Sequence, residues 1–441
     1  MLSYKVFFFI ILFSSVVISL VGVVNANIKT GFPVVKDSNL EVKVVAEGLY
    51  LPTNMQFIDN DTVIVTEQKG IVKIVDLSSN GKAVQKPILN VNATKVAVEN
   101  GLVGLAVRND ISEGNLISND SDNVKDRTKL SDVFLYFSEG DGEEARNRLY
   151  KYSFDGQNLR NKSLLLDLPT NNLSIHNGGK IIFGPDGYLY TAIGDQFHRG
   201  QLQNIINGSS ADNTGVIFKI NPSNGSAAPV NPFSSDHSEQ LAKYYAYGIR
   251  NSYGLAIDPV TGDLWDTENG AGLFDEINLV KPGFNSGWFK IMGPSSRPIN
   301  KNVSVDEDLV HFPGSHYSEP VFSWQQTIGV TDLEFFNSKI LGSKYYNTLF
   351  VGDFNTGSLF NFRLNSDRTG FSFNSTGLRD LVSDNTKADA NSEITFGAGF
   401  SIITDIQTGP DGLLYLLGYG SGSHTGVSGV IYRIQPSGYG T

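Results

Sequence analysis

From residue 39 onward the chain alternates short apolar runs of strand character with turns rich in Gly, Asp, Asn and Pro, and no long segment carries a helical period. Three stretches share one pattern, in which an apolar strand meets a Pro-Asp-Gly-like turn and then an aromatic-rich strand. They are "IIFGPDGYLYTAIGD" (181–195), "GLAIDPVTGDLWDTENG" (254–270) and "DIQTGPDGLLYLLGYG" (405–420). The turn residues have mechanical reasons: Pro presets φ, Asp bonds back to the backbone, and Gly takes positive φ. Weaker relatives fill the gaps at 54–76, 100–156 and 330–364.

Six such units predict an all-β chain, a six-bladed β-propeller with long polar loop insertions. Each opens on a strand that ends near a loop and closes on an outer strand such as "GVIFKINP" or "GVIYRIQP". Their spacing, roughly 50 to 80 residues, exceeds what a minimal blade needs, and polar insertions at 108–130, 205–240 and 365–397 take up the excess. The early strand "NLEVKVVAEGL" (39–49) is expected to complete the last blade, so that 39–436 form one domain. A β-sandwich is the competing architecture, and six similar units disfavour it.

The N-terminus carries one basic residue, Lys5, before a nearly unbroken apolar run from Val6 to Val24. This pattern predicts export. Cleavage after Ala26 would make 1–26 a signal peptide; the run also reaches the length of about 18 residues at which an uncleaved membrane anchor becomes possible. Either way the rest of the chain is expected outside the cytoplasm, secreted or on the outer face of the cell membrane. Asn-x-Ser/Thr sequons begin at Asn60, Asn92, Asn119, Asn161, Asn172, Asn207, Asn224, Asn302 and Asn374. They agree with export, and chance in a chain rich in Asn and Ser is the plain alternative.

The chain has 441 residues and no cysteine, which excludes disulfides, zinc-thiolate sites, iron-sulfur clusters and thiol nucleophiles. With 34 Lys and Arg against 45 Asp and Glu, a formal charge of -11 and no dense basic run, nucleic acid is not an expected partner.

Three stretches, "YGIRNSYGLAIDPVTGDLWDTENGAGLFDEINLVKPGFNSGW" (247–288), "ENGLVGLAV" (99–107) and "IHNGGKIIFGPDGYLYTAIGDQ" (175–196), together resemble the glucose/sorbosone dehydrogenase family. The resemblance covers residues 40 to 436 and implies an exported oxidoreductase. Such an enzyme oxidises an aldose or related sugar hydroxyl with pyrroloquinoline quinone (PQQ) and calcium, passing electrons to an acceptor that the sequence does not identify. By the same resemblance His176 is the general base. A neutral imidazole can take the hydroxyl proton while the quinone takes the hydride; a hydrogen-bonded loop histidine is the plain alternative.

Gln196 matches a sugar contact, and Trp324 matches an aromatic beside cofactor and substrate, with a core tryptophan as the alternative. Glu99 stands where relatives carry an amide; a carboxylate there binds sugar hydroxyls, assists a proton transfer or caps neighbouring N–H groups. Arg250 and Asn251 match the cofactor-binding pair, a guanidinium suiting carboxylate or quinone oxygens, although an arginine bridging two blades would look the same. Gly270 and Ala271 match positions that hold calcium through backbone carbonyls. Asp275 and Glu276 are then ligands of a separate ion, orienting groups for the loop, or solvated turn carboxylates.

The departures bear on the cofactor. A cofactor-binding lysine of the family aligns with Asn355, and two arginines align with Ile402 and Thr404, leaving Arg250 as the matching cation. Each missing charge-assisted hydrogen bond forfeits about 1.5 to 3 kcal/mol. Arg199 and Lys180 are the candidates to compensate. The alternative function is a non-redox propeller that binds carbohydrate or protein, or a calcium-dependent esterase or lactonase.

Overall fold

The computed structural model describes residues 32–78, 83–94, 99–109, 131–140, 144–171, 175–234, 239–384, 388–420 and 428–440. The predicted signal segment and most of the insertion at 108–130 lie outside these residues. Among the described residues the regular structure is mostly strand, joined by turns and loops, with two short α-helices at Val305–Asp308 and Ala388–Ile394.

The strands form six sheets in chain order, here sheets 1 to 6. Their first strands are Pro52–Phe57, Leu102–Asn109, Ile181–Phe183, Ser252–Ile257, Val330–Phe336 and Ile403–Thr408. Each packs against the first strands of the neighbouring sheets, and Ile403–Thr408 packs back against Pro52–Phe57. That closed ring is a β-propeller arrangement.

The turns behave as their residues dictate. In sheet 3 the Gly187 N–H donates to the Gly184 carbonyl at 3.0 Å, Asp186 accepts from the Tyr188 N–H at 3.2 Å, and Gly187 has φ 76°. Sheet 6 repeats the arrangement at Gly409, Asp411 and Gly412. Ring closure follows the expectation too: Leu40–Leu49 pairs antiparallel with Gly429–Pro436, from Leu40 opposite Pro436 to Leu49 opposite Gly429. Pairing the two ends of the chain leaves sheet 6 without an unpaired third strand.

One expectation needs correction. "GVIFKINP" and "GVIYRIQP" supply third strands, and the outer strands beyond them are Tyr244–Tyr247 and Leu40–Leu49. Val216–Ile220 is buried at every position, so the apolar run reflects two covered faces and not a sheet edge. The core lies between adjacent sheets. Between sheets 4 and 5 it is an aromatic layer of Trp265, Phe322, Trp324, Phe335, Phe362 and Phe371.

Candidate functional site

Because all six first strands enter the ring in the same sense, the loops that precede them gather at one mouth of the channel. Glu99, His176 and Arg250–Asn251 all lie in such loops. The chain passes His176 in a left-handed turn, with φ 61° at His176, 61° at Gly178 and 106° at Gly179. The two glycines are required by close approach. A Cβ on Gly178 would meet the Ala192 carbonyl oxygen at 2.4 Å, and one on Gly179 would meet Val103 and Tyr136 at 2.8 and 2.9 Å. A non-glycine residue held at positive φ next to them is the strained geometry that functional positions tolerate.

The surroundings hold that strain in place. The His176 N–H donates to Glu99 Oε2 at 2.6 Å, and its carbonyl accepts from the Gly194 N–H at 3.1 Å and from Gln196 Nε2. Its ring lies stacked against Phe197, centroids 4.7 Å apart, and Nδ1 is 2.6 Å from Asp195 Oδ1. Asp195 is fully buried and also accepts from the Phe197 N–H at 3.0 Å and the Trp288 indole N–H at 2.8 Å. Burial pushes its carboxyl up, but the hydrogen bond from His176, with these donors, holds it below the usual carboxylate range. An ionised Asp195 takes the proton-bearing Nδ1 as its donor, which leaves the lone pair on Nε2.

The next loop joins the network through the backbone: the Asp195 N–H donates to the Arg250 carbonyl at 2.8 Å. Arg250 in turn donates from its N–H to Glu268 at 2.7 Å and from NH1 to the Asn269 carbonyl at 2.6 Å, and its guanidinium lies 5.6 Å from the Trp288 ring centroid. Burial lowers its pKa, against the opposing charges of Asp195, Glu99 and Glu268. Its Nε is buried without a hydrogen-bond partner, an orphaned donor of the kind a ligand oxygen satisfies. Asn251 Nδ2 reaches Glu99 Oε2 at 3.3 Å. Glu268, which also accepts from the Ser286 hydroxyl at 2.6 Å, is pushed up to about 7 by burial.

The structure therefore brings Glu99, His176, Gln196, Arg250 and Asn251 together. Gln196 binds the loop, Nε2 to the His176 carbonyl and Oε1 accepting from the Asn171 N–H at 2.9 Å, so it positions the histidine. Glu99 likewise caps neighbouring N–H groups.

At the Gly270 loop, Gly270 is half-buried and Ala271 exposed, and the Gly270 N–H donates to Asp275 at 2.9 Å. Asp275 also gathers the N–H groups of Ile328, Gly329 and Val330 at 2.8, 2.7 and 3.2 Å, so it orients the loop. Glu276 is buried and accepts from the Gly293 N–H at 2.6 Å. Neither is a solvated turn carboxylate. Among the described residues no group of three His, Cys, Asp or Glu is arranged to hold a metal ion.

Other expected residues make different contacts. Trp324 is packed in the aromatic layer against Phe322, Phe360 and Phe362, as its alternating apolar neighbours require of an inward strand position. Thr404 is buried, its hydroxyl donating to the carbonyls of Pro52 at 3.0 Å and Leu417 at 3.3 Å, so it ties sheet 6 to sheet 1 and offers nothing to a cofactor. Asn355 is exposed, with its N–H donating to the Ile328 carbonyl at 3.2 Å, and brings no charge. Lys180 does not compensate, because its ammonium is buried between Asp332 at 2.7 Å and Asp405 at 2.6 Å. Arg199 does reach the site: its guanidinium covers the Phe289 ring at 3.7 Å and approaches Asp195 at 3.7 Å.

Asp195, Trp288, Phe197 and Phe289 complete the site without having been singled out in the sequence. Asp195 had a signal, the acidic residue directly before Gln196 in "GDQ". The two phenylalanines had none, since an exposed phenylalanine in a loop looks like any other.

The glucose/sorbosone dehydrogenase family profile matches residues 49–425. The aldose sugar dehydrogenase YliI of Escherichia coli is 23% identical over 381 residues, covering 86% of this chain and 90% of its own. Quinoprotein glucose dehydrogenase B of Acinetobacter calcoaceticus is 28% identical over 284 residues, 59% of this chain and 55% of its own. Among solved structures, the PQQ-bound aldose sugar dehydrogenase of Streptomyces coelicolor superposes with a TM-score of 0.62 at 21% identity, covering 92% of this chain and 100% of its own, and supports the fold. With a profile match across most of the sheet-forming sequence, this chain belongs to the glucose/sorbosone dehydrogenase family.

Proposed function

We propose that this chain is an exported sugar dehydrogenase built as a six-bladed propeller, with His176 as the base that removes the proton of the oxidised sugar hydroxyl. The observation that carries this reading is the His176–Asp195 pair, 2.6 Å apart, at the same mouth as an Arg250 whose buried Nε has no partner. The family membership and the sugar-oxidising relatives support the substrate class.

Asp195 holds the imidazole in the tautomer whose Nε2 accepts, and its negative charge stabilises the imidazolium that forms. Glu99 and Gln196 hold the His176 backbone, so the ring is presented with little freedom left to lose. Arg250, Asn251 and Arg199, with the indole of Trp288 beside them, fit a planar anion with carboxylate and quinone oxygens. They would hold PQQ, and the carbonyls of Gly270 and Ala271 would hold calcium. PQQ bound there supplies the two-electron acceptor for the hydride.

A second reading, a propeller that binds sugar or hydrolyses an ester without redox turnover, is favoured by the uncharged Asn355, Ile402 and Thr404. Adding PQQ and calcium to the purified chain separates the two. A bound-quinone absorption band together with sugar-dependent dye reduction is expected; neither appearing across a broad sugar panel would overturn the redox reading. His176→Gln is expected to abolish turnover while leaving the melting temperature within a few degrees, and a large loss of stability would instead make His176 a loop filler.

A further inference from the structure

The exposed apolar side chains are not spread evenly over the two ends of the ring. In every sheet the second strand is antiparallel to the first and returns to the His176 mouth, so the loops that join second to third strands lie there too. Those loops carry Phe197, Leu273 and Phe354, all exposed. Exposed Tyr50 sits in the loop before the first strand of sheet 1, and exposed Phe289 follows Trp288, whose indole is bonded to Asp195. The far end exposes Val84, Val230, Val260, Tyr346 and Tyr439, but no phenylalanine among the described residues. Two of the rings at the mouth lie under cations, Lys69 over Tyr50 at 4.5 Å and Arg199 over Phe289 at 3.7 Å.

The amino-terminal lead arrives at the same end. Val34–Val35 pairs antiparallel with Thr395–Ala398, Val34 opposite Ala398. Thr395–Ala398 is the fourth strand of sheet 5 and runs toward the mouth, into the loop before the first strand of sheet 6. Val34–Val35 therefore runs away from the mouth, and exposed Phe32, just before it, lies on the mouth side. The apolar run of the amino-terminal sequence ends at Val24. The roughly ten residues from there to Val34 reach at most about 35 Å even when fully extended.

We propose that the run from Val6 to Val24 is retained as a membrane anchor and that the His176 mouth docks on the bilayer surface, with Phe32, Tyr50, Leu273, Phe289 and Phe354 set among the lipid headgroups. The run has the length that a bilayer-spanning segment needs. A spanning anchor with so short a lead holds the mouth end at the lipid, where each exposed ring taken out of water adds to the attachment. Rings paired with Lys69 and Arg199 suit that interface, because the ring enters the apolar boundary while the cation stays with the headgroup phosphates. A formal charge of -11 gives the chain as a whole no attraction to an anionic surface, so the apolar rings and not bulk charge provide the contact. A second copy docked mouth to mouth would trap both leads in the seam and direct each anchor into the partner.

The test uses the full chain, whose lack of cysteine lets a single label be placed without background. Ile206→Cys, exposed in the loop after the second strand of sheet 3, and Val230→Cys, exposed at the far end, each carry an NBD fluorophore in phosphatidylcholine vesicles that contain a headgroup-nitroxide lipid. The Ile206 label is expected to lose most of its fluorescence to the nitroxide and the Val230 label little. Leu273→Ser combined with Phe354→Ser, both exposed and outside the His176 network, is expected to restore much of the Ile206 signal with the melting temperature unchanged. The intact mass of the chain recovered from the membranes of an exporting host is expected to include residues 1–26. A mass that begins after Ala26, equal quenching of the two labels, or quenching unchanged in the double variant would overturn the proposal. A shift of the Ile206 label that grows with protein concentration in detergent, without vesicles, would give the face to a second copy and overturn it as well. None of these readouts needs turnover, so the outcome is separate from that of the dehydrogenase reading.

Discussion

Asp195 is the residue on which the proposed chemistry turns, because it decides which imidazole nitrogen is free. Its two oxygens collect the His176 ring, the Phe197 N–H and the Trp288 indole. Replacing it by Asn removes the charge that stabilises the imidazolium and offers an amide that can hold the opposite tautomer. Asp195→Asn is expected to lower turnover by about 10²-fold or more in the dye-reduction assay, with KM for sugar nearly unchanged and Arg250 still in place. An equal loss in KM would point to a collapsed site. His176 stood out in the sequence by its motif, whereas the place of Lys180 could not be read there for a physical reason: a lysine in sequence carries no sign of whether its ammonium is free or already held by two aspartates from sheets far along the chain.

At the scale of elements, Thr404 shows the difference between aligned position and role. It aligns with a cationic position of the family, yet its hydroxyl bridges the Pro52 and Leu417 carbonyls. Thr404→Val is expected to lower stability by about 1 to 3 kcal/mol, since two buried acceptors lose a donor, and to leave cofactor affinity untouched; denaturant unfolding and quinone titration check the two halves. Turns and first strands were readable because Pro, Asp and Gly act locally. The order of strands across a sheet was not, which is why two third strands were taken for edges. An apolar run says that both faces are covered and does not say by what.

The whole molecule is held at its axis by Lys180, which joins sheet 3 to Asp332 of sheet 5 and Asp405 of sheet 6, while Asp405 also accepts from the Met55 N–H of sheet 1 at 2.6 Å. Lys180→Met leaves two aspartates buried without their cation and is expected to cost about 3 to 5 kcal/mol, read as a fall in the denaturation midpoint. Buried carboxyls also set a pH dependence. Glu268 and Glu334 ordinarily titrate near 4.5 and are raised by burial to about 7 in the fold. Between those values the folded chain keeps protons the unfolded chain has released, so their contribution is complete below 4.5 and is lost as the pH rises through 7. The melting temperature is therefore expected to fall from pH 5 to pH 8, and Glu334→Gln to flatten that fall; an unchanged slope in the variant would place the effect elsewhere.

The sequence by itself determined the turns, the strand periodicity, the closing role of 39–49 and the histidine motif, because each depends on residues near one another or on a pattern repeated along the chain. Only the tertiary structure decided that Asp195 and Trp288 complete the His176 site, that Trp324 and Thr404 are buried in packing and inter-sheet contacts, and that Arg199 rather than Lys180 stands beside Asp195. Those outcomes depend on side chains brought together across the ring by its closure, and distances between sheets are not written in any local stretch of sequence.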